Sequence, residues 1–262
     1  MIQEAIGAPR PIYAHLPLVL ASDKSKLSKR KHGETVSLTY YRSRGYLPAA
    51  IINFVALLGW NPGTEQEIMS LDELIAQFKL ENVQKGGAVF NVEKLDWINR
   101  EYIKLLSPEE RRRYIREFAP SDIPDEMLWK LESVIIDRIS AFAEIADLFA
   151  AGEFDYVINE PAYDVEKLVW KTATKEETIE HLTKTIAILN EIPDEAFEAA
   201  EAKEALWPYA EEKGRGNVLW PTRYALTGKD KSPDPFVCAG ILGKDMTLKR
   251  LQTALQSLQN AL

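Results

Sequence analysis

The sequence predicts a mainly α-helical protein with a minor β element at its N-terminus: a first helical domain that carries a basic loop, followed by an all-α bundle. Three observations predict this. Three Ser/Thr-x-x-Glu capping boxes mark helix starts at Ser70/Glu73, Ser107/Glu110 and Thr174/Glu177, where hydroxyl and carboxylate each satisfy a free backbone N–H. Apolar residues recur at helical spacing over Met127, Leu128, Leu131, Val134, Ile135, Ile139, Phe142 and Ile145, and again over Ile179, Leu182, Ile186 and Leu189. The first twenty residues, with Pro9, Pro11 and Pro17, show no helical period, and Ile12 to Leu20 reads as extended chain with short strands.

In order along the chain, the extended segment runs into the basic stretch Asp23 to His32. Pro48 then occupies a first helical position, and Ala49 to Leu58 continue as an apolar helix stopped by Gly59. Because that helix is apolar on nearly all sides, it is predicted to be buried. Asn91 caps a helix through Lys94, Leu95, Trp97, Ile98, Tyr102 and Ile103. Ser107-Pro108 is the first predicted break between domains and the loop Asn159 to Tyr163, with Pro161, the second. The resulting segments are 1–106, 107–160 and 161–262.

With 262 residues and 46% hydrophobic content, the chain can form packed cores. Its longest apolar stretches are about half of the roughly 20 residues that a membrane crossing needs, and the first residues resemble no signal peptide. A single cysteine, Cys238, has no internal disulfide partner, and His15, His32 and His181 lack metal-ligand spacing. These features predict no metal site, no membrane association and a cytoplasmic protein. Cys238, between Val237 and Ala239, reads as a small buried hydrophobe.

The net charge of −8 opposes nucleic-acid binding, yet it averages over a local reversal. Between Asp23 and His32 stand five cations, Lys24, Lys26, Lys29, Arg30 and Lys31, against one acid. Two lysines three apart with a serine between them, on a Gly-terminated segment, suit neutralisation of a triphosphate. When a pyrophosphate leaves, ammonium groups placed there stabilise the transition state more than the ground state, which is what raises a rate. Lys29 is the first phosphate partner on this reading and Lys26 the second. A Lys/Arg run is by itself more often a solvated face, so the context decides.

That context is a long match. Leu16-Pro17-Leu18-Val19-Leu20, Asp23-Lys24-Ser25-Lys26-Leu27-Ser28-Lys29-Arg30 and His32-Gly33 resemble the second signature of class I glutamyl-tRNA and glutaminyl-tRNA synthetases, the KMSKS loop in its glutamyl form KLSKR. Tyr46-Leu47-Pro48-Ala49-Ala50, Asn53 and Leu57-Leu58-Gly59-Trp60 are similar to the segment after that loop, where a helical stem-contact domain begins. Phe90-Asn91, Lys94-Leu95, Trp97-Ile98-Asn99 and Tyr102-Ile103 resemble the next helix. Leu219-Trp220-Pro221-Thr222-Arg223-Tyr224-Ala225-Leu226-Thr227-Gly228, and Ser232-Pro233 through Leu242-Gly243-Lys244, look like the last anticodon-binding domain of bacterial glutamyl-tRNA synthetases.

The resemblance implies an end of the catalytic core plus a stem-contact domain over 1–106, and two anticodon-binding subdomains over 107–160 and 161–262. It implies an ATP-binding loop of Lys26, Leu27, Ser28, Lys29 and Arg30, with Lys26 and Lys29 catalytic. Arg138, Arg223, Ser232 and Pro235 fall at anticodon-facing positions, with Ser232 and Pro235 standing where the family pattern has Thr and an aliphatic residue. The expected partner is tRNA(Glu), with tRNA(Gln) left open, and the expected state is a monomer. ATP with magnesium is the expected cofactor of the full-length enzyme. The Rossmann domain and its HIGH-type motif are not among these residues, so the chain is expected to be a C-terminal fragment that binds tRNA without catalysis and holds no cofactor. The alternative is a stand-alone non-catalytic tRNA-binding module. A glutaminyl-type enzyme ranks lower, because its C-terminal region is built of β-barrels. Arg111-Arg112-Arg113, behind Glu109 and Glu110 in a capped helix, reads as exposed surface, and most of the six tryptophans as core.

Overall fold

Two compact units make up the chain: residues 1–119 with 135–145, and residues 120–134 with 146–262. This computed structural model describes every residue except Met1, Ala14, Tyr163, Thr172 and Leu262; Tyr163, the end of the second predicted break, therefore lies outside the described residues. The units of packing partition the chain differently from the three segments read off helix ends, since residues 120–134 group with one unit and 135–145 with the other.

In the first unit, one-turn helix α1 (Ile2–Ala5) stands within the first twenty residues, which show no helical period in the sequence. Strand β1 (Val19–Leu20) pairs in parallel with β2 (Ala88–Val89), Val19 opposite Ala88 and Leu20 opposite Val89. Between them lie α2 (Lys29–His32), α3 (Leu38–Ser43), α4 (Pro48–Leu57) and α5 (Leu71–Gln77). Helices α6 (Val92–Leu105) and α7 (Pro108–Phe118) follow. The capping boxes at Ser70 and Ser107 are both formed, and the Asn91 side chain accepts the Lys94 N–H at 3.2 Å, so each helix begins where its hydroxyl or amide predicted.

Helix α4 departs from expectation. It buries Ala50, Asn53 and Phe54 against α6 and leaves Ile52 and Val55 about half exposed. Its apolar composition fills both faces, but only one face meets a packed neighbour. The residues that carried the family resemblance here are largely structural. Asn53 and Asn99 are fully buried; Asn53 Oδ1 takes the Met69 N–H and the Tyr102 hydroxyl, and Asn99 Oδ1 takes the Leu47 N–H. A buried amide oxygen that accepts backbone donors satisfies groups that would otherwise each cost about 1–3 kcal/mol.

Helix α8 (Asp125–Arg138) carries the chain from residues of the second unit into residues of the first, and α9 (Glu144–Ala150) and α10 (Asp155–Ile158) follow. The second unit then builds a bundle from α11 (Lys175–Asn190), α12 (Ala199–Lys213), α13 (Arg215–Thr227), α14 (Pro235–Leu242) and α15 (Lys244–Gln259). Helix α11 packs against α13 and α15, and α12 against α13 and α14, around Leu182, Leu189, Leu206, Val218, Leu226, Leu251 and Leu258. Cys238 lies buried in this core, as predicted. The Thr174 capping box starts α11. The mainly α fold with one two-stranded sheet matches the predicted class. Among the described residues no helix is long and apolar enough to cross a membrane.

Candidate functional site

The basic loop is built on β1. Leu27 N–H donates to Val19 O at 3.1 Å and Ala21 N–H to Ser25 O at 2.8 Å, so residues 19–27 double back on themselves, with Lys24 at a left-handed φ of 61° at the tip. Leu27 turns inward to a small apolar cavity shared with Val19, Tyr41, Phe54 and Phe90. That inward Leu sets its neighbours outward: Lys26, Lys29 and Arg30 are exposed and Ser28 half-buried. Ser28, in extended conformation, precedes the one turn of α2, and Gly33 ends it at a φ of 68°. His32 Nδ1 lies 3.2 Å from the Ser28 nitrogen.

Among the described residues, no ion pair engages Lys24, Lys26, Lys29 or Arg30, whereas Lys31 is held by Asp23 at 2.6 Å. Asp23 in turn accepts from the Ser25 hydroxyl and N–H, and these hydrogen bonds, led by that from Lys31, hold its carboxyl well below the usual carboxylate range. The loop therefore offers uncompensated cations on an ordered backbone. This fits a polyphosphate, which needs positive charge that the protein has not already neutralised.

The second set of residues lies in the second unit, on α13 and the segment that follows it. Gly228 ends α13 in the left-handed conformation (φ 65°), and a Cβ there would stand 2.9 Å from the Ala162 carbonyl oxygen. Asp234 caps α14 through its carboxylate, which takes the Phe236 and Val237 N–H groups at 2.9 and 3.0 Å. Arg223 ties the segment between these caps: Nη1 donates to Ser232 Oγ at 3.0 Å and Nη2 to Asp230 O at 2.9 Å. Two of five guanidinium N–H donors are thereby spent, which leaves three for a ligand. Pro235, the first residue of α14, is buried. Its contribution is to start the helix that shapes the segment, not to offer a surface.

Arg223 also sits over the Trp220 ring at 4.8 Å, and Trp220 stacks on Tyr224 and meets Trp170 at 5.0 Å. The Trp220 indole N–H donates to Lys167 O at 2.8 Å, and Lys167 pairs with Asp230 at 3.0 Å. Lys171 lies over Trp170 at 4.6 Å. Sequence reasoning missed Trp170, Trp220, Lys167 and Asp230 as members of one site. Trp170 and Trp220 are fifty positions apart, and only the i, i+3 spacing of Trp220 and Arg223 was visible as a shared helix face. Of the tryptophans read mostly as core, Trp60 is buried, Trp129, Trp170, Trp207 and Trp220 are half-buried, Trp207 and Trp220 being packed against the core of the second unit, and Trp97 is exposed.

Arg138 lies half-buried in the last turn of α8, where a cation also meets the negative end of the helix dipole, and it is engaged by neighbouring groups. It belongs to the first unit, whereas Arg223, Ser232 and Pro235 belong to the second. Arg111 donates to Leu106 O at 2.9 Å, and Arg112 and Arg113 are exposed.

The first unit thus carries a lysine-rich loop on a strand end, and the second an arginine–tryptophan surface on a helical bundle. Residues 1–97 match the family described as tRNA synthetases class I (E and Q), catalytic domain, and residues 100–255 match the anticodon binding domain family. The chain is 37% identical to a glutamate–tRNA ligase of Anaeromyxobacter dehalogenans, covering 98% of this chain and 53% of that protein. It is 38% identical to one of Moorella thermoacetica, covering 97% and 52%. The crystal structure of a glutamate tRNA ligase from Elizabethkingia meningosepticum, in complex with its amino acid, aligns with a TM-score of 0.72 at 31% identity, over 98% of this chain and 54% of that one. The chain belongs to the anticodon binding domain family and is a homologue of the glutamate–tRNA ligases, spanning about half the length of the relatives it matches.

Proposed function

We propose that this chain is the tRNA-reading half of a glutamate–tRNA ligase, an enzyme that joins glutamate to tRNA(Glu) using ATP through a glutamyl-adenylate. The observation that carries this reading is the Arg223 constellation, in which a guanidinium with donors to spare stands over Trp220 beside a capped segment. Splayed bases are read by that combination of planar donors and aromatic faces. Arg223 and Ser232 would face anticodon bases, Trp220 and Trp170 would stack on them, and Arg138 would read a further base. In the basic loop, Lys26 and Lys29 would meet the phosphates of ATP, with magnesium as the companion ion, and stabilise the pyrophosphate as it departs. The remaining half of the relatives' length would supply the ATP and glutamate pockets, so this chain by itself would bind tRNA and leave adenylate formation to the complete enzyme. It would act in the cytoplasm as a monomer.

The test is binding of the chain to tRNA(Glu), tRNA(Gln) and an unrelated tRNA at two salt concentrations. Preference for tRNA(Glu) at both salts is expected; equal affinities that collapse together with salt would reduce the reading to phosphate attraction. Arg223→Ala should weaken tRNA(Glu) binding by about 1–3 kcal/mol, the worth of a base contact or a stacked base. Unchanged affinity would return Arg223 to a structural role.

A further inference from the structure

Asp23, Ser25 and Lys31 form a closed ring of hydrogen bonds across the basic loop. Asp23 Oδ1 accepts the Ser25 N–H at 3.0 Å and the Ser25 hydroxyl at 2.6 Å, and its Oδ2 accepts Lys31 Nζ at 2.6 Å. Lys31 Nζ also donates to Ser25 Oγ at 2.7 Å, so each of the three side chains meets the other two. Asp23 and Ser25 belong to the doubled-back segment on β1, whereas Lys31 belongs to α2. The ring thus crosses from one piece of the loop to the other.

Lys26 lies on the first piece and Lys29 on the second, and both side chains are exposed. Between them Ser28 is extended (φ −153°, ψ 144°) and makes no side-chain cap to α2. We propose that Asp23 and Lys31 are positioning residues, a latch that holds α2 against the doubled-back segment and thereby fixes the spacing of Lys26 and Lys29 for a polyphosphate ligand. This inference rests on the reading of the loop as an ATP loop. The latch also sorts the charges: it spends the Lys31 cation on Asp23 and leaves Lys24, Lys26, Lys29 and Arg30 uncompensated. Preorganisation of this kind raises affinity by removing the cost of ordering the cations on binding.

Positioning and simple charge make opposite predictions for Asp23→Asn. If Asp23 acts only as a point charge near the site, removing it makes the loop more positive and tightens anion binding. If it acts through the latch, removing it loosens the loop and weakens binding. The experiment compares the chain with Asp23→Asn, Lys31→Met and Lys31→Arg, by calorimetric titration with inorganic tripolyphosphate and by the rate of tryptic cleavage after Lys26 and Lys29. Exposed ion pairs are individually weak, so the expected loss of tripolyphosphate affinity in Asp23→Asn and Lys31→Met is about 2- to 5-fold. Cleavage should accelerate in both, and Lys31→Arg, which can remake the pair, should retain affinity and protection. Tighter binding by Asp23→Asn, or unchanged cleavage in both disrupting variants, overturns the latch. Accelerated cleavage with no tripolyphosphate binding by the unaltered chain overturns the ATP-loop reading, and the positioning role with it, while showing that the latch itself exists.

Discussion

The chemistry of this chain is decided by how single side chains are occupied. Lys31 and Lys29 are two residues apart in a run of cations, yet one is spent on a carboxylate and the other is not, because only Lys31 points at Asp23. The Asp23 carboxylate is stabilised by donors from Lys31 and Ser25, so it loses its charge only as the pH falls well below its ordinary value of 3.8. The sign follows: with a depressed folded value, the latch's contribution to stability is fully present above the ordinary value of 3.8 and is lost as the pH falls from there toward the lower folded one. A carbon-detected titration of Asp23 should therefore find it still ionised at pH 3.8; half-protonation at that pH would contradict the hydrogen-bonded carboxylate. Gly216 offers a second residue-scale test. A Cβ at this position would lie 2.2 Å from Trp170 Nε1, so the indole packs into space that only glycine leaves. Gly216→Ala would otherwise favour helix α13 by up to about 1 kcal/mol. With the clash it should displace Trp170, seen as altered tryptophan fluorescence, and weaken tRNA(Glu) by about 1 kcal/mol or more if Trp170 is a stacking surface.

At the scale of elements, local chemistry sets where helices begin and packing sets what they bury. Ser107 heads α7, with the Glu110 N–H on its hydroxyl at 3.2 Å and the Glu110 carboxylate returning to its own N–H at 3.0 Å. Ser107→Ala should lower stability by about 1 kcal/mol, measured as a shift in urea midpoint; no shift would mean that α7 starts without its box. These starts were legible because a cap depends on residues within one turn. Helix α4 was misjudged as buried because composition cannot tell which neighbours arrive, and they arrive on the Ala50, Asn53 and Phe54 side alone. Helix α13 holds Pro221 in its interior, against intrinsic preference, with Pro221 buried among Val218, Tyr224 and Ala225. Burial in the bundle there outweighs the missing N–H.

At the scale of the whole molecule, the second unit depends on a buried cation. Arg250 on α15 is buried, and it donates to Tyr156 O at 2.5 Å, Leu226 O at 2.6 Å and Asn159 O at 2.9 Å. Those carbonyls belong to the ends of α10 and α13, so one guanidinium gathers acceptors that two helix termini leave without intrahelical donors. Arg250→Met should cost about 2–4 kcal/mol in urea unfolding, because carbonyls would be stranded in the interior. Lysine should restore little of it, since one ammonium cannot reproduce the planar fork. A loss below about 0.5 kcal/mol would mean that water replaces the guanidinium. The net charge of −8 acts at this scale too. It leaves the basic loop as a local exception, and attraction of phosphates to such a patch falls with salt whereas base reading does not.

The sequence by itself determined the helical class, the cap positions and the family, and it supplied the two sets of residues that are proposed as sites. Each of these is written in short windows: a capping box in four residues, KLSKR in five, Arg223 within a run of ten. Tertiary structure alone decided that Trp170 joins Trp220 and Arg223, that Lys31 closes onto Asp23, that Pro235 is buried and that Arg250 is interior. The reason is physical. Those outcomes depend on groups distant in sequence meeting in space, or on which face of a helix finds a neighbour, and no local propensity encodes either.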